Sequence, residues 1–451
     1  MKIQKQVPLT EGPILKSLTG LAVPIMISSF LGTLYNITDM AWIGLLGSKA
    51  VAAVGVGGMY VWLSQGLASL ARMGGQVHVA QCLGRGDKEQ AHRYAKTAVQ
   101  LSILLGLAFA AVSLLFTDPL VGFFKLEGVK TILDAKIYMR ITCGLILFSF
   151  LNLTLTGLYT AQGDSKTPFV ANFIGLLINL LLDPLLILGV GPFPRIEVAG
   201  AAVATVSAQL VVMLVMMVGV FRSKKEENVL KGIRLFEPFS KEELGNICKI
   251  GGPTAVQGMV YCMISMVLTR MVAAFGAEAI ATQRVGGQIE SVSWNTADGF
   301  AAALNAFVGQ NYGAKKMDRV QKGYRISFWT VAIWGALIML AFIIFPGPIA
   351  GVFFHEEKAM EIAISYLIII GFSEAFMCVE LMTIGALSGL GKTKLCSVIS
   401  ITATSMRIPL AMVLSRTSLG LDGIWWALTL TSVAKGIIFY LTFRYQMREK
   451  C

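Results

Sequence analysis

The chain has 451 residues, 55% of them hydrophobic and 14% charged, with a formal net charge of +12 and a mean hydropathy of +0.69. Soluble domains carry about 25% charged residues, so this composition excludes a water-soluble globular protein. Seven scattered cysteines without a CxxC pair argue against a disulfide framework or a zinc site. Three dispersed histidines (His78, His92, His355) supply neither a metal cluster nor a nucleophile set for a membrane enzyme.

Apolar runs long enough to span a bilayer, each needing about 20 residues, recur from end to end. Twelve are predicted: 14–43, 51–80, 95–116, 137–160, 168–190, 198–221, 247–272, 279–309, 326–350, 362–388, 395–414 and 423–443. The first is too long for a signal peptide and has no small-residue cleavage site, so it is expected to remain. Glycine (46) far exceeds proline (13), as suits closely packed membrane helices.

Taken in order, the first span carries Met26, Tyr35, Asn36 and Asp39, with Pro24 below them. Tyr35 and Asp39 are four apart and share a helix face. The fourth span holds Asn152. The fifth contains INLLLDPLLIL (178–188), which sets Asn179 and Asp183 on one face of an otherwise apolar run. An ionisable residue at membrane depth is a functional-site hypothesis, although Asp183 before Pro184 also suits the cap of a broken helix. The sixth span brings Thr205. With 1.5 Å of rise per residue, Asp39 lies roughly 8–12 Å below the outer end of its span, and Asp183 and Thr205 about as deep. Two carboxylates in one low-dielectric layer cannot both stay ionised unless a proton or a cation joins them. Asp39, Asn179, Asp183 and Thr205 are therefore read as a coupling site for H+ or Na+, with no other cofactor or metal.

In the second half, Gln257 and Met263 lie on the seventh span, Glu290 and Asp298 on the eighth, Glu374 and Glu380 on the tenth and Lys435 on the twelfth. Glu374 or Glu380 is expected to form a structural pair with Lys435. Glu290, Asp298 and Glu374 are secondary candidates for cation coupling. Met26 and Met263 belong to a set of 21 methionines suited to an adaptable apolar cavity. With Tyr35, Asn36, Asn152 and Gln257 they form the expected substrate cavity.

An internal repeat organises these spans. Shifted by 229, Val23-Pro24 falls on Gly252-Pro253, GSKAVAAVGVGG (47–58) on GAEAIATQRVGG (276–287) and VAQCLGRGDK (79–88) on VGQNYGAKKM (308–317). Shifted by 228, TGLYTAQGDSK (156–166) falls on IGALSGLGKTK (384–394). Two homologous six-helix halves, 1–223 and 244–451, are joined by a polar linker, 224–243. Six is even, so the repeats are parallel, an arrangement that favours a central cavity. The acids are not repeated: Asp39 corresponds to Leu268, Asn179 to Arg407 and Asp183 to Ala411. GLGKTK (389–394) resembles the end of a phosphate-binding loop, but Ala386 stands where its first glycine belongs and no strand precedes it.

The distribution of Lys and Arg gives the orientation. About 25 of the 38 fall in the two tails and in the loops 81–96, 161–167, 222–249, 310–325 and 389–394, against about 7 in the opposite loops. This bias places both termini in the cytoplasm and accounts for the positive charge without nucleic acid. The expectation is a multi-pass protein of the inner membrane, monomeric in the bilayer.

Together these residues resemble the multidrug and toxic compound extrusion (MATE) family over nearly the whole length. The resemblance rests on LAVPIMISSFLGTLYNITDMAWIG (21–44), GLYTAQGDSKTPF (157–169), INLLLDPLLIL (178–188), VAGAAVAT (198–205), VGQNYGAKK (308–316) and MRIPL (406–410). Asp39, Asn179, Asp183 and Thr205 look like the amino-half cation site of its DinF-like branch; Tyr35 and Asn152 match cavity positions more loosely. The resemblance implies exchange of a proton, or of Na+ in some members, for cationic or amphipathic drugs. Other branches carry an acid on the seventh span, where this chain offers only Gln257. Flippases of lipid-linked precursors share the fold and are the alternative.

Overall fold

A computed structural model describes residues 6–126, 128–189, 194–223, 228–235, 237–354 and 356–448. His355, Cys451 and the linker positions 224–227 and 236 lie outside the described residues. The described chain is helical without strands. Its first half contains α1 (Ile14–Gly44), α2 (Ser48–Arg85), α3 (Lys88–Leu115), α4 (Thr117–Gly122), α5 (Val129–Gly144), α6 (Leu147–Ala161), α7 (Lys166–Ile187) and α8 (Glu197–Arg222). The second contains α9 (Lys241–Ala273), α10 (Ala277–Gly313), α11 (Met317–Ile344), α12 (Pro346–Gly351), α13 (Glu357–Gly371), α14 (Glu374–Gly389), α15 (Thr393–Ser405), α16 (Arg407–Leu414) and α17 (Leu421–Arg448).

Among the described residues nine helical stretches are long and apolar enough to cross a membrane. Two bent pairs raise the number to eleven: α5 with α6 at 43° and α13 with α14 at 51°. The bends fall at corresponding places in the two halves, on the fourth and tenth predicted spans. The one expected span left over, the eighth, is α10, 37 residues long and more polar than the others because it carries Gln283, Arg284, Gln288, Glu290, Asn295 and Asp298.

The helices show how the sequence meets a bilayer. On α3 a buried stripe of small residues (Ala91, Ala95, Ala98) faces the interior, while Leu104, Leu107, Leu114 and Leu115 are exposed. Large exposed apolar faces of this kind belong against lipid. The start of α3 is capped by Asp87, whose side chain accepts from Gln90 N at 2.9 Å. Between α14 and α15, Gly391 adopts φ 80°, which makes GLGKTK a tight turn.

Compactness divides the chain into two units. One comprises the segment ending at Val7 together with Ile27–Gly258; the other comprises Pro8–Met26 and the chain from Met259 onward. This is a different property from the sequence repeat, and the cuts fall inside α1 and α9. Close packing explains where each portion belongs. In the first unit a Cβ on Gly251 of α9 would strike the backbone of Leu70 on α2. In the second, a Cβ on Gly299 of α10 would strike Met26 of α1. Position 251 corresponds to 22 and position 299 to 70 at a shift of 229, so the two crossings are equivalent and each closes on a glycine.

Polar straps complete each unit. In the second, Arg319 donates to the carbonyls of Leu9 (3.2 Å), Gly12 (2.9 Å) and Glu11 (2.7 Å), and Asn311 donates to Leu9 O at 3.0 Å. In the first, Gln100 donates to the carbonyls of Leu235 (2.9 Å) and Glu237 (2.7 Å), and Gln162 accepts from Val229 N at 3.0 Å.

Candidate functional site

The polar residues of α1, α7 and α8 converge within the first unit. On α7, Asn179 Nδ2 donates to Asp183 Oδ1 at 3.2 Å, the one-turn spacing expected from the sequence. α7 runs unbroken through Pro184 to Ile187, so Asp183 is not the cap of a broken helix. Its carboxylate is fully buried, and Asp183 Oδ2 and Asn179 Oδ1 have no hydrogen-bond partner. Asp39 is buried on α1 with Oδ1 equally unpaired. Thr205 Oγ1, on α8, lacks a partner of normal geometry, with the Tyr35 hydroxyl close beside it. Asp39 lies within electrostatic range of Asp183, and Tyr35 within range of both.

Buried polar atoms are almost always hydrogen-bonded, and leaving one unpaired costs roughly 1–3 kcal/mol. Here four unpaired oxygens come from three helices, two of them carboxylate. A proton shared by the acids, or a small hard cation taking oxygen ligands, satisfies this arrangement.

The sequence reading did not include Tyr138. This α5 residue lies within electrostatic range of Asp39 and Asp183, and its ring packs so closely on Gly57 of α2 that a Cβ there would strike it. Its only signal was a hydroxyl inside an apolar span. Toward the Gly44 end of α1 an apolar layer of Ile43, Val54, Tyr138, Ile187 and Val198 packs α1, α2, α5, α7 and α8 together.

The expected cavity residues are more dispersed. Tyr35 is half-buried and Asn36 exposed on α1. The Asn152 amide donates to the Gln209 carbonyl of α8 at 2.8 Å, leaving Oδ1 buried and unpaired. Gln257 is half-buried in the first unit, whereas Met26 and Met263 belong to the second, Met263 61% exposed.

The second unit has charges of its own. Lys435 pairs with Glu380 at 2.8 Å, both buried; of the two glutamates expected as its partner, Glu374 is not the one. Tyr366 donates to Glu290. Glu374 is fully buried with both oxygens unpaired, and Asp298 is half-buried on α10. The sequence reading also passed over Arg407 as a buried donor: it bonds Thr431 Oγ1 at 3.0 Å and Ser432 Oγ at 2.9 Å.

A duplicated helical membrane protein with polar groups buried among its spans fits the class of membrane transporters, and comparison makes the class specific. The chain belongs to the MatE family, whose profile matches it twice, over residues 24–185 and 253–413. It is 28% identical to a probable multidrug resistance protein NorM of Thermotoga maritima, over 98% of this chain and 95% of that one. A protein of Shewanella oneidensis named as an FAD transporter is 25% identical over 96% and 95% of the two chains. A crystal structure of MATE in the straight conformation shares the fold with a TM-score of 0.90, covering 99% of each chain at 24% identity. The protein is thus a multi-pass membrane transporter of small molecules, not an enzyme.

Proposed function

We propose that the protein is an antiporter of the cytoplasmic membrane that exports amphipathic, cationic compounds in exchange for inward H+. Asp39, Asn179, Asp183 and Thr205 are the coupling site; Na+ is the alternative ion. The observation that carries this reading is the buried layer of unpaired oxygens shared by α1, α7 and α8. The loop charges put both termini in the cytoplasm, so the layer lies nearer the outer face, where an incoming proton meets it first.

The chemistry sets an order. Protonating the carboxylate pair removes negative charge from a layer that also attracts a cationic substrate, so proton and substrate compete. Substrate affinity falls as pH drops, and a tenfold loss corresponds to about 1.4 kcal/mol of coupling, which is reciprocal.

Reconstituted vesicles test this with a fluorescent cationic dye under an imposed proton gradient or an imposed sodium gradient. The expected result is export under the proton gradient, abolished in Asp39→Asn and in Asp183→Asn, with dye affinity no longer pH-dependent in Asp39→Asn. Export by a well-folded Asp39→Asn would overturn the assignment, and export under the sodium gradient alone would replace the ion. The Shewanella relative supports a second substrate class, an anionic flavin dinucleotide. Preferential transport of a fluorescent flavin over the dye would select it.

A further inference from the structure

Arg72 of the first unit is a charged side chain inside a span, and among the described residues it has no partner. It lies on α2 within the second predicted span, about 20 Å before Arg85 at the cytoplasmic end of the helix, at 1.5 Å per residue. The residue is half-buried and its Nε buried, yet its side chain makes neither a hydrogen bond nor an ion pair among the described residues. An ionisable residue at such depth faces a bundle interior or a water-filled cavity and marks a site. A guanidinium keeps its charge, so it cannot meet the cost of burial by changing protonation state, as a carboxylate can.

The residue belongs to a polar stripe. Gln65, Ser69, Arg72 and Gln76 follow one another at spacings of four, three and four, which puts them on one face of α2. This is not the face that packs on α9, where a Cβ on Gly74 would strike Ile247 and a Cβ on Gly251 would strike Leu70. Nor is it the face toward α3, where Gly75 meets Ala98. Along the stripe burial deepens from exposed Gln65, through half-buried Ser69 and Arg72, to buried Gln76. A row of amide, hydroxyl and guanidinium groups belongs against water and polar ligands, not lipid.

Helix packing does not require the charge. The stem of Arg72 lies on Gly157 of α6, where a Cβ would meet Arg72 Cγ at 2.9 Å and Gln76 Oε1 at 3.2 Å. In the second unit the corresponding crossing sets Gly385 of α14 on the backbone of Ala301 of α10. Position 385 matches 157 at a shift of 228, and 301 matches 72 at a shift of 229. Alanine suffices there, so the guanidinium is an addition to the scaffold. It offers a planar fork of N–H donors that fits a carboxylate or a phosphate through two hydrogen bonds.

We propose that Arg72 is a specificity-determining residue that receives an oxyanionic group, carboxylate or phosphate, of the transported molecule. The acids of α1 and α7 attract a cation and repel such a group; Arg72 does the reverse. Together they favour molecules carrying both signs, and Arg72 gives wholly anionic ones a footing. The assignment rests on the protein being a small-molecule transporter and not on the coupling role of Asp39 and Asp183.

Equilibrium binding to the full-length protein in phosphatidylcholine nanodiscs tests this with two matched pairs of probes. One pair is a cationic xanthene dye with a free carboxylate and its methyl ester; the other is riboflavin phosphate and riboflavin. The acid of at least one pair should bind more tightly than its partner, and the pair that responds identifies the group. Arg72→Gln should weaken that acid about tenfold, as for a lost charge-assisted hydrogen bond, and leave its partner unchanged. Arg72→Lys should restore part of the difference. Asp39→Asn should affect dye and ester alike, so failure of the coupling reading leaves their ratio intact. The proposal is overturned if neither acid binds more tightly than its partner, if Arg72→Gln preserves the ratio, or if it weakens both members equally, the mark of a packing defect. Should Arg72→Gln fail to fold, phenylglyoxal labelling of the wild type decides: the acid alone should protect Arg72, and labelling without protection overturns the proposal. Protection by added phosphatidylglycerol in the absence of any probe would give Arg72 to a lipid headgroup and overturn it as well.

Discussion

At the residue scale, the most instructive pair is Glu380 with Lys435. Both are buried, so each charge is tolerable only because the other is present. Removing one partner leaves an uncompensated buried charge and costs about 3–5 kcal/mol, whereas replacing both with apolar groups of similar size is close to neutral. Glu380→Leu alone should therefore lower the thermal midpoint and yield sharply, and Glu380→Leu with Lys435→Met should recover most of both. A single variant as stable as the parent would show that the pair is not needed. The contrast with Glu374, six residues earlier, could not be read from sequence: both glutamates sit on the same predicted span, and the packing of α14 against α17 decides which one reaches Lys435. Asn179 with Asp183 was legible because their contact is local, one helical turn. Tyr138 was not, because its role arises from α5 packing on α2 and facing α1 and α7, contacts that no spacing encodes.

At the element scale, hydropathy located most of the spans and missed their shapes. It drew the fourth and tenth as single helices, where the chain bends by 43° and 51°; a composition window averages across a bend and is blind to it. α10 was found as an apolar run, 279–309, despite its polar residues, and the repeat aligns its start with that of α2. The glycine facing Tyr138 is the elements' own contribution to site geometry. Gly57→Ala places a methyl group against the Tyr138 ring, an overpacking worth about 1–3 kcal/mol, and should turn the tyrosine from the carboxylates and reduce export. Gly58→Ala is the matched control, since a Cβ there meets nothing within 4 Å. Equal thermal midpoints and equal export in the two variants would remove the proposed role of that packing.

At the scale of the whole molecule, repeat and compactness describe different things. The repeat was legible as a near-constant offset. The assignment of Pro8–Met26 to the second unit was not, since it rests on backbone carbonyls that bear no sequence signature. Arg319 is the clamp, forking to Leu9, Glu11 and Gly12. Arg319→Ala should speed proteolysis ahead of α1 and cost about 2 kcal/mol for the hydrogen bonds lost. Arg319→Lys should rescue it poorly, because a single ammonium cannot reproduce the planar fork; full rescue would reduce the clamp to simple charge.

That clamp also has a clock in it. Leu9 is separated from Asn311 by 302 residues and from Arg319 by 310. With synthesis at about 5–20 residues per second, the carbonyl of Leu9 waits roughly 15–60 s for its donors to be made. Met26 waits nearly as long for Gly299. Through that interval the beginning of α1 has left the ribosome without the neighbours it will finally pack against, so a segment made early is among the last to be fastened.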